Sequence, residues 1–242
     1  MRKTIRKYTT QDVSDDLLND LLSQAARTQT MGNLQLYSVV VTRSQEMKQQ
    51  LAPAHFNQPM VTQAPVVLTF CADYHRTTAW ALQRQGHPGY DNLLSFQNAA
   101  TDALLFCQRF CDLAEARGLG LCFLGTTIYQ PRTLIRLLAL PPLVMPVATI
   151  TLGWPDEDPS PTDRLPLTAY RHDETYRPVT PATIDRDYTA KEQLPENQEF
   201  VRINGTETLA QIFTDIRYTA NDCRAMSAEL LAALRQQGFW QE

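Results

Sequence analysis

Leu17, Leu18, Leu21, Leu22 and Ala25 recur at the three- and four-residue spacing of a single helix face. Ser14 precedes them as a cap, and Asp15 and Asp16 occupy the first turn, where the positive end of the helix dipole favours carboxylates. The spacing predicts a helix over about 14–27. "LYSVVVT" (36–42) is short and β-branched and reads as a strand, and "APVVLTFCAD" (64–73) is almost wholly apolar and reads as a second, buried one. Between them, Ser44 to Leu51 suits a short helix. The longest helical pattern runs from Asp91 to Arg117 without Gly or Pro and stops at Gly118, a residue suited to a helix C-terminus. Its middle, "NAATDALLFCQRF", is almost uncharged, so a helix of about 40 Å should be buried on more than one side, at the centre of the fold or at a subunit interface.

Further along, a helix from about Pro131 to Leu140 is expected to stop at Pro141 and Pro142, and "MPVATITLGW" (145–154) is a third strong strand. From Pro155 to Pro181 the chain is proline-rich and polar, which suits an extended arm crossing a surface. Two more helices follow, near 206–218 (Leu209, Ile212, Phe213, Ile216) and 222–237 (Met226, Leu230, Leu231, Leu234), the latter closed by Gly238.

Composition narrows the class. With 242 residues, 43% of them hydrophobic and 20% charged, the chain can bury a sizeable core as one large domain or a domain with an extension. No apolar run approaches the roughly 20 residues needed to span a bilayer. The basic head "MRKTIRKY" is followed by "TTQDVSDD" rather than by the apolar core of an export signal, so a cytoplasmic location with no membrane partner is expected. A net charge of −4 argues against nucleic-acid binding. Cys71, Cys107, Cys111, Cys122 and Cys223 are odd in number and four lie in apolar runs, which suits reduced, buried thiols.

The familiar chemical motifs are absent. Gly118 and Gly120 begin a Gly-x-Gly-x-x-Gly pattern, but Phe123 holds the third position and the glycines follow a helix where a dinucleotide fold needs a strand. There is no phosphate loop and no Gly-x-Ser-x-Gly elbow. His55, His75, His87 and His172 are scattered without metal-ligand spacing and read as surface or structural residues, and Cys107 and Cys111, one helical turn apart, read as core. No metal is therefore expected, and no catalytic motif is found. Arg2, Lys3, Arg6 and Lys7 place four cations in the first seven residues, either as a solvated terminus or as one wall of an anion site.

The order of the motifs resembles the nitroreductase family of flavoproteins. "RKTIRKY", the helix ending in "AAR" and "TQTMGNLQLYSVVVT" are similar to its opening; "RGLGLCFLGTTI" followed by "LLALPPLVMPVATITLGWPDEDP" is similar to its second signature. "DRLPLTAYRHDETYRP" and the closing "LRQQGFW" look like the branch of oxygen-insensitive NADPH nitroreductases and P-type flavin reductases. The resemblance implies an α+β, nitroreductase-like fold with a mixed, mostly antiparallel central sheet flanked by helices, in an intertwined homodimer. Residues 1–154 would form the FMN-binding core, and 155–242 an arm and helices packing on the partner subunit and over the active site. One FMN would lie in each of two clefts at the subunit interface.

Carried onto this chain, the resemblance places Arg2, Lys3, Thr4 and Arg6 in the first FMN-binding stretch, with Arg6 reaching the phosphate and Arg2 and Lys3 along the pyrimidine side or the ribityl chain. Thr30 and Gln58 match flavin-contacting positions, Phe123, Leu124, Gly125 and Thr126 line the dimethylbenzene and N5 side, with the Gly125 N–H a donor to N5, and Arg164 matches a second phosphate arginine. Such a site needs cations for a dianionic phosphate, polar groups for a polyol and backbone that can approach a flat ring. The implied reaction is a ping-pong transfer of two electrons from NADH or NADPH to a small acceptor such as a nitroaromatic, a quinone or free flavin. Alternatives are a flavin-binding protein with little turnover and a specialised flavoenzyme acting on one metabolite.

Two departures stand out. Thr162 occupies a position where close relatives carry a lysine. The stretch from Asp187 to Thr208, matching a mobile arginine-rich loop that binds the NADPH 2′-phosphate, holds five carboxylates against Lys191 and Arg202, and Ser227 replaces a further arginine, although Arg224 is one turn away. A weakened or lost preference for NADPH is expected.

Overall fold

β2 (Val66–Asp73) is buried at all eight positions because it is hydrogen-bonded on both edges and covered on both faces. The structure, a computed structural model, describes residues 2–240. Along the chain, α1 (Asp15–Ala25) leads to β1 (Tyr37–Thr42), α2 (Gln45–Leu51), α3 (Pro59–Gln63) and β2, then to α4 (His75–Gln83), α5 (Leu93–Ala116), β3 (Gly120–Leu124), α6 (Pro131–Leu137) and β4 (Val144–Gly153). The strands form one sheet in the order β1-β2-β4-β3, and every strand pair among the described residues is antiparallel.

The helix starts are those that the sequence signals. Ser14, Ser44 and Asn92 cap α1, α2 and α5 by accepting from the backbone N–H groups of Leu17, Met47 and Ser95. Gly118 ends α5 with a φ of +82°, a conformation that glycine adopts without strain.

One face of the sheet packs on α1 and α5, where Leu21, Leu68, Phe70, Phe110 and Ile150 are fully buried and Tyr37 stacks on Phe106 at 4.2 Å. Each such side chain contributes about 1.5–3 kcal/mol. The other face carries Leu51, Met60, Val61, Cys122, Leu124 and Leu134 from α2, α3, β3 and α6.

Contacts divide the chain into two units, one comprising residues up to Ser160 and from Met226 onward, the other Pro161–Ala225. In the second unit, α7 (Pro181–Glu192) and α8 (Pro195–Asn204) precede α9 (Leu209–Gln211), which continues into a π-helical turn, Ile212–Arg217. The division falls inside α10 (Ala220–Gln236). The segment before α7 has no strand or long helix, as the prolines lead one to expect, and turns at Leu167–Ala169 and again at 173–175, where Glu174 is left-handed at φ 63°.

Three expectations need correction. The stretch from 187 to 208 is not a loop but most of two helices: Thr180 and Thr183 form a capping box, Pro181 and Pro195 occupy first turns, and Gly205 ends α8 at φ 64°. These helices are polar around most of their circumference, so no apolar stripe announces them. α6 ends at Leu137, before the prolines, because Ala139 turns the backbone left-handed at φ 50°. The helix expected over 206–218 is one α-turn followed by a π-turn.

Candidate functional site

The basic N-terminal stretch lies as an extended rail on β3. Ile5 N donates to Leu121 O at 3.0 Å, and the buried Ile5 side chain fits only because residue 120 is glycine: a Cβ there would lie 2.7 Å from Ile5 Cβ. The Tyr8 hydroxyl donates to Ile5 O at 2.8 Å and lies 2.7 Å from Thr151 Oγ1. Glu157 accepts from the backbone of Arg6 and Lys7 at 2.5 and 3.0 Å, and those two bonds hold its carboxyl below the usual range. The rail is thereby fixed at Ile5, Arg6, Lys7 and Tyr8.

Its cations differ in what they already hold. Arg2 Nε lies 3.4 Å from Glu115 on α5, and Lys3 pairs with Asp158. Arg6, among the described residues, forms a salt bridge with no carboxylate. Burial raises the pKa of the Cys122 thiol, and the charges of Arg6 and Arg2 oppose the rise. Arg6 and Lys7 are thus the cations of the rail that no salt bridge among the described residues occupies. Thr4 is half-buried on the same rail.

Leu124 is buried at the end of β3, and Gly125 opens a tight turn, Gly125–Ile128, locked by the Thr127 hydroxyl donating to Leu124 O at 2.8 Å. A side chain at Gly125 would meet nothing within 4 Å, so this backbone faces open space. Thr126 Oγ1 lies 2.8 Å from His55 Nδ1. His55 is wholly buried, and burial pushes its pKa down to about 4, so the ring is neutral; its Nε2 has no partner among the described residues. His55 ends a short turn, Ala52–His55, and the next two residues, Phe56 and Asn57, are both left-handed at φ 54° and 53°. Two consecutive non-glycine residues in that region are strained, and the strain sets where Gln58 begins α3. Gln58 and the Leu124–Thr126 turn, far apart in sequence, are thereby linked through His55. Sequence reasoning missed His55 because a lone histidine with no metal partner carries no local signal.

Thr30 belongs to a different place. It precedes a tight turn, Met31–Asn33, in a segment where Gly32, Asn33 and Gln35 all have positive φ. The segment is held by Asp102 of α5, which accepts from Met31 N and Leu36 N at 2.9 and 3.1 Å. Asp102 and Glu115, the α5 partners of the Thr30 segment and of Arg2, are about 20 Å apart along the helix. Arg164 lies in the second unit, where its Nη1 donates to Thr162 Oγ1 at 2.7 Å and to Asp163 O at 2.8 Å, and Asp163 pairs with Lys191 at 2.7 Å. Thr162 therefore serves as an acceptor for Arg164. Four cysteines are buried and all five are free; no group of residues among those described could hold a metal ion.

A sheet covered by helices on both faces, with a cationic rail and an open glycine turn at one edge strand, defines an α+β protein. The family model described as the Nitroreductase family matches residues 1–154. An FMN reductase (NAD(P)H) of Bacillus subtilis is 30% identical over 181 residues, covering 72% of this chain and 71% of that one. The oxygen-insensitive NADPH nitroreductase of Salmonella typhimurium is 27% identical, covering 88% of this chain and 85% of its own. Among solved structures, a Bacteroides fragilis protein described as an oxidoreductase superposes with a TM-score of 0.98 at 55% identity, over 99% of this chain and 98% of that one. The chain belongs to the nitroreductase family.

Proposed function

We propose that the protein is an FMN-dependent oxidoreductase that moves two electrons from NADH or NADPH to a small acceptor by a ping-pong mechanism. The observation that carries this reading is Arg6, a cation without a carboxylate partner on a fixed rail whose β3 strand ends in the open Gly125 turn. The donor set fits FMN: guanidinium for a phosphate, amide and hydroxyl groups at Gln58 and Thr126, and bare backbone at Gly125 for a flat ring. Bound FMN supplies the two-electron carrier between nicotinamide and acceptor.

The side chains bind and orient. Arg6 holds the phosphate, the Gly125 N–H and Gln58 address the ring edge, and Arg2 and Lys3 supply positive potential, each moderated by the carboxylate it already faces. No protein nucleophile or general base is needed.

The same reading makes the protein a homodimer with its flavin sites between subunits. In one copy the Thr30 segment and Arg2 are tied to points about 20 Å apart on α5, so a second copy supplies the missing side. α5 also leaves Leu93, Leu94, Leu104 and Leu105 exposed, and Phe56, before α3, and Phe123, on β3, are exposed as well. No helix of the described residues is long and apolar enough to cross a membrane. The nicotinamide donor and the buried free thiols support a cytoplasmic location.

One titration tests the reading. Purified protein should bind FMN and show a visible flavin band that bleaches anaerobically on addition of NADH or NADPH. Bound flavin that ignores both nucleotides would favour a binding protein with little turnover, and protein that cannot be loaded with FMN would sink both.

A further inference from the structure

The second unit holds a corner where Arg171, Arg177 and Arg186 meet the carboxylates of Asp173 and Asp187. Asp173 accepts from Arg171 Nε through Oδ1 at 3.1 Å and from Arg177 Nη2 through Oδ2 at 2.9 Å. Asp187 accepts from Arg186 Nε and Nη2 at 2.8 and 2.7 Å and from the Thr168 hydroxyl at 2.7 Å. A guanidinium carries five N–H donors. The single carboxylate of Asp173 therefore ties Arg171 to Arg177 while most of their N–H groups meet no protein acceptor among the described residues.

These arginines border a cavity of about 220 Å³. Arg171, Arg177, Arg186 and Asp187 line it, whereas Glu174 and Asp185 of the same stretch do not. Even with Asp173 counted, the three guanidiniums leave one positive charge uncompensated at its wall. His172 Nδ1 accepts the backbone N–H of Arg177 at 3.1 Å, which closes the 172–177 loop, and the His172 ring stacks on Tyr176 at 4.2 Å. Both rings line the cavity, and Val179 and Ile184 give it apolar surface.

Two guanidiniums held by one carboxylate suit a phosphate, which takes several N–H donors at once. A stacked aromatic pair beside apolar side chains suits a flat ring. The cavity is larger than the roughly 150 Å³ that holds benzene, so it has room for a base while the phosphate stays on the exposed arginines. We propose that this corner of the second unit binds a nucleoside monophosphate, its phosphate on Arg171 and Arg177 and its base against His172 and Tyr176. None of these residues is among those offered to FMN, so the proposal stands whether or not the flavin reading does.

The test is isothermal titration of the full-length protein with AMP, and with inorganic phosphate and adenosine as the two halves of that probe. AMP should bind at least about tenfold more tightly than either half, and the Arg171→Gln, Arg177→Gln double variant should weaken it at least about tenfold, through loss of charge-assisted hydrogen bonds. Tyr176→Ala should bring AMP down to the affinity of phosphate. Arg6→Ala should leave AMP binding unchanged. Absence of AMP binding, phosphate or adenosine binding as tightly as AMP, or equal AMP affinity in the double variant and the wild type would each overturn the proposal. So would loss of AMP binding in Arg6→Ala, which would put the nucleotide on the N-terminal rail. Should the double variant fail to fold by far-UV circular dichroism, the two single arginine variants, each expected to cost about threefold or more, decide in its place.

Discussion

The carboxylate of Asp102 accepts the backbone N–H of Met31 at 2.9 Å, tying the middle of the longest helix to the start of the Thr30 segment. A second bond, from Leu36 N at 3.1 Å, closes the clamp over a stretch with three left-handed residues. Asp102 is 1% exposed and Leu36 fully buried, whereas Met31 is 45% exposed. Replacing Asp102 with Ala orphans the buried Leu36 N–H and leaves the Met31 N–H to water, and should cost about 1–3 kcal/mol of unfolding free energy by urea titration. Asp102→Asn keeps one acceptor and should cost about half of that.

Arg6→Ala should weaken FMN retention by about ten- to a hundredfold, the range expected for a charge-assisted hydrogen bond to phosphate. Lys7→Ala should change it little, because the family resemblance puts Arg6, and not Lys7, in the FMN-binding stretch, and the contact Lys7 makes with Glu157 is through its backbone N–H. Equilibrium dialysis of the two variants against FMN compares them directly. Equal retention would remove Arg6 from the phosphate site.

Gly120→Ala tests the rail itself. The new methyl would meet three Ile5 carbons at 2.7–2.8 Å, so the N-terminal segment has to lift from β3. A cost of about 1–3 kcal/mol is expected from overpacking, with weaker FMN binding at constant secondary structure. Flavin titration together with far-UV circular dichroism separates this outcome from global unfolding.

Periodicity made three of the four strands and the longer covering helices readable: Leu17 to Ala25, the β-branched "LYSVVVT" and the uncharged centre of α5 each carry a strong local pattern, whereas β3, α3 and α4 are too short to carry one. α7 and α8 were not readable, since their stop and start signals, Thr180, Pro195 and Gly205, surround sequences without an apolar stripe. At the candidate site, the cations were visible because a charge cluster is a local feature, and the Gly125 turn was singled out through the family resemblance alone. His55 and Asp102 were not, because their roles depend on partners dozens of residues away: Thr126 for one, Met31 and Leu36 for the other. A single Asp inside an apolar helix face looks like an exposed position until the backbone it satisfies is known.

The nicotinamide preference follows from unit-local charge. Lys191 is paired with Asp163 at 2.7 Å and Arg202 with Glu199 at 2.6 Å, so the two cations between 187 and 208 are already compensated. Glu199 is spent on Arg202 and Asp187 on Arg186, so Glu192, Glu196 and Glu207 are the carboxylates of that stretch left to disfavour an extra 2′-phosphate. The kcat/KM for NADPH should not exceed that for NADH, and an NADPH advantage above about tenfold would contradict this reading of α7 and α8.

His55 also gives the fold a pH dependence whose sign can be stated. Burial lowers its pKa from 6.5 in the unfolded chain to about 4 in the folded one. Above pH 6.5 the ring is neutral in both states and the full stability is present. Between 6.5 and 4 the unfolded chain binds a proton that the folded chain refuses, so stability falls as pH falls, by about 3 kcal/mol over the window. Carboxylates with lowered pKa values, Glu157 among them, lose their contribution lower down, below the ordinary carboxylate range. His55→Asn removes the histidine part alone: urea unfolding at pH 7.5, 6.0 and 5.0 should show the wild-type advantage shrinking with acidity while the variant stays nearly flat above pH 5. A parallel decline in both proteins would place the titrating group elsewhere.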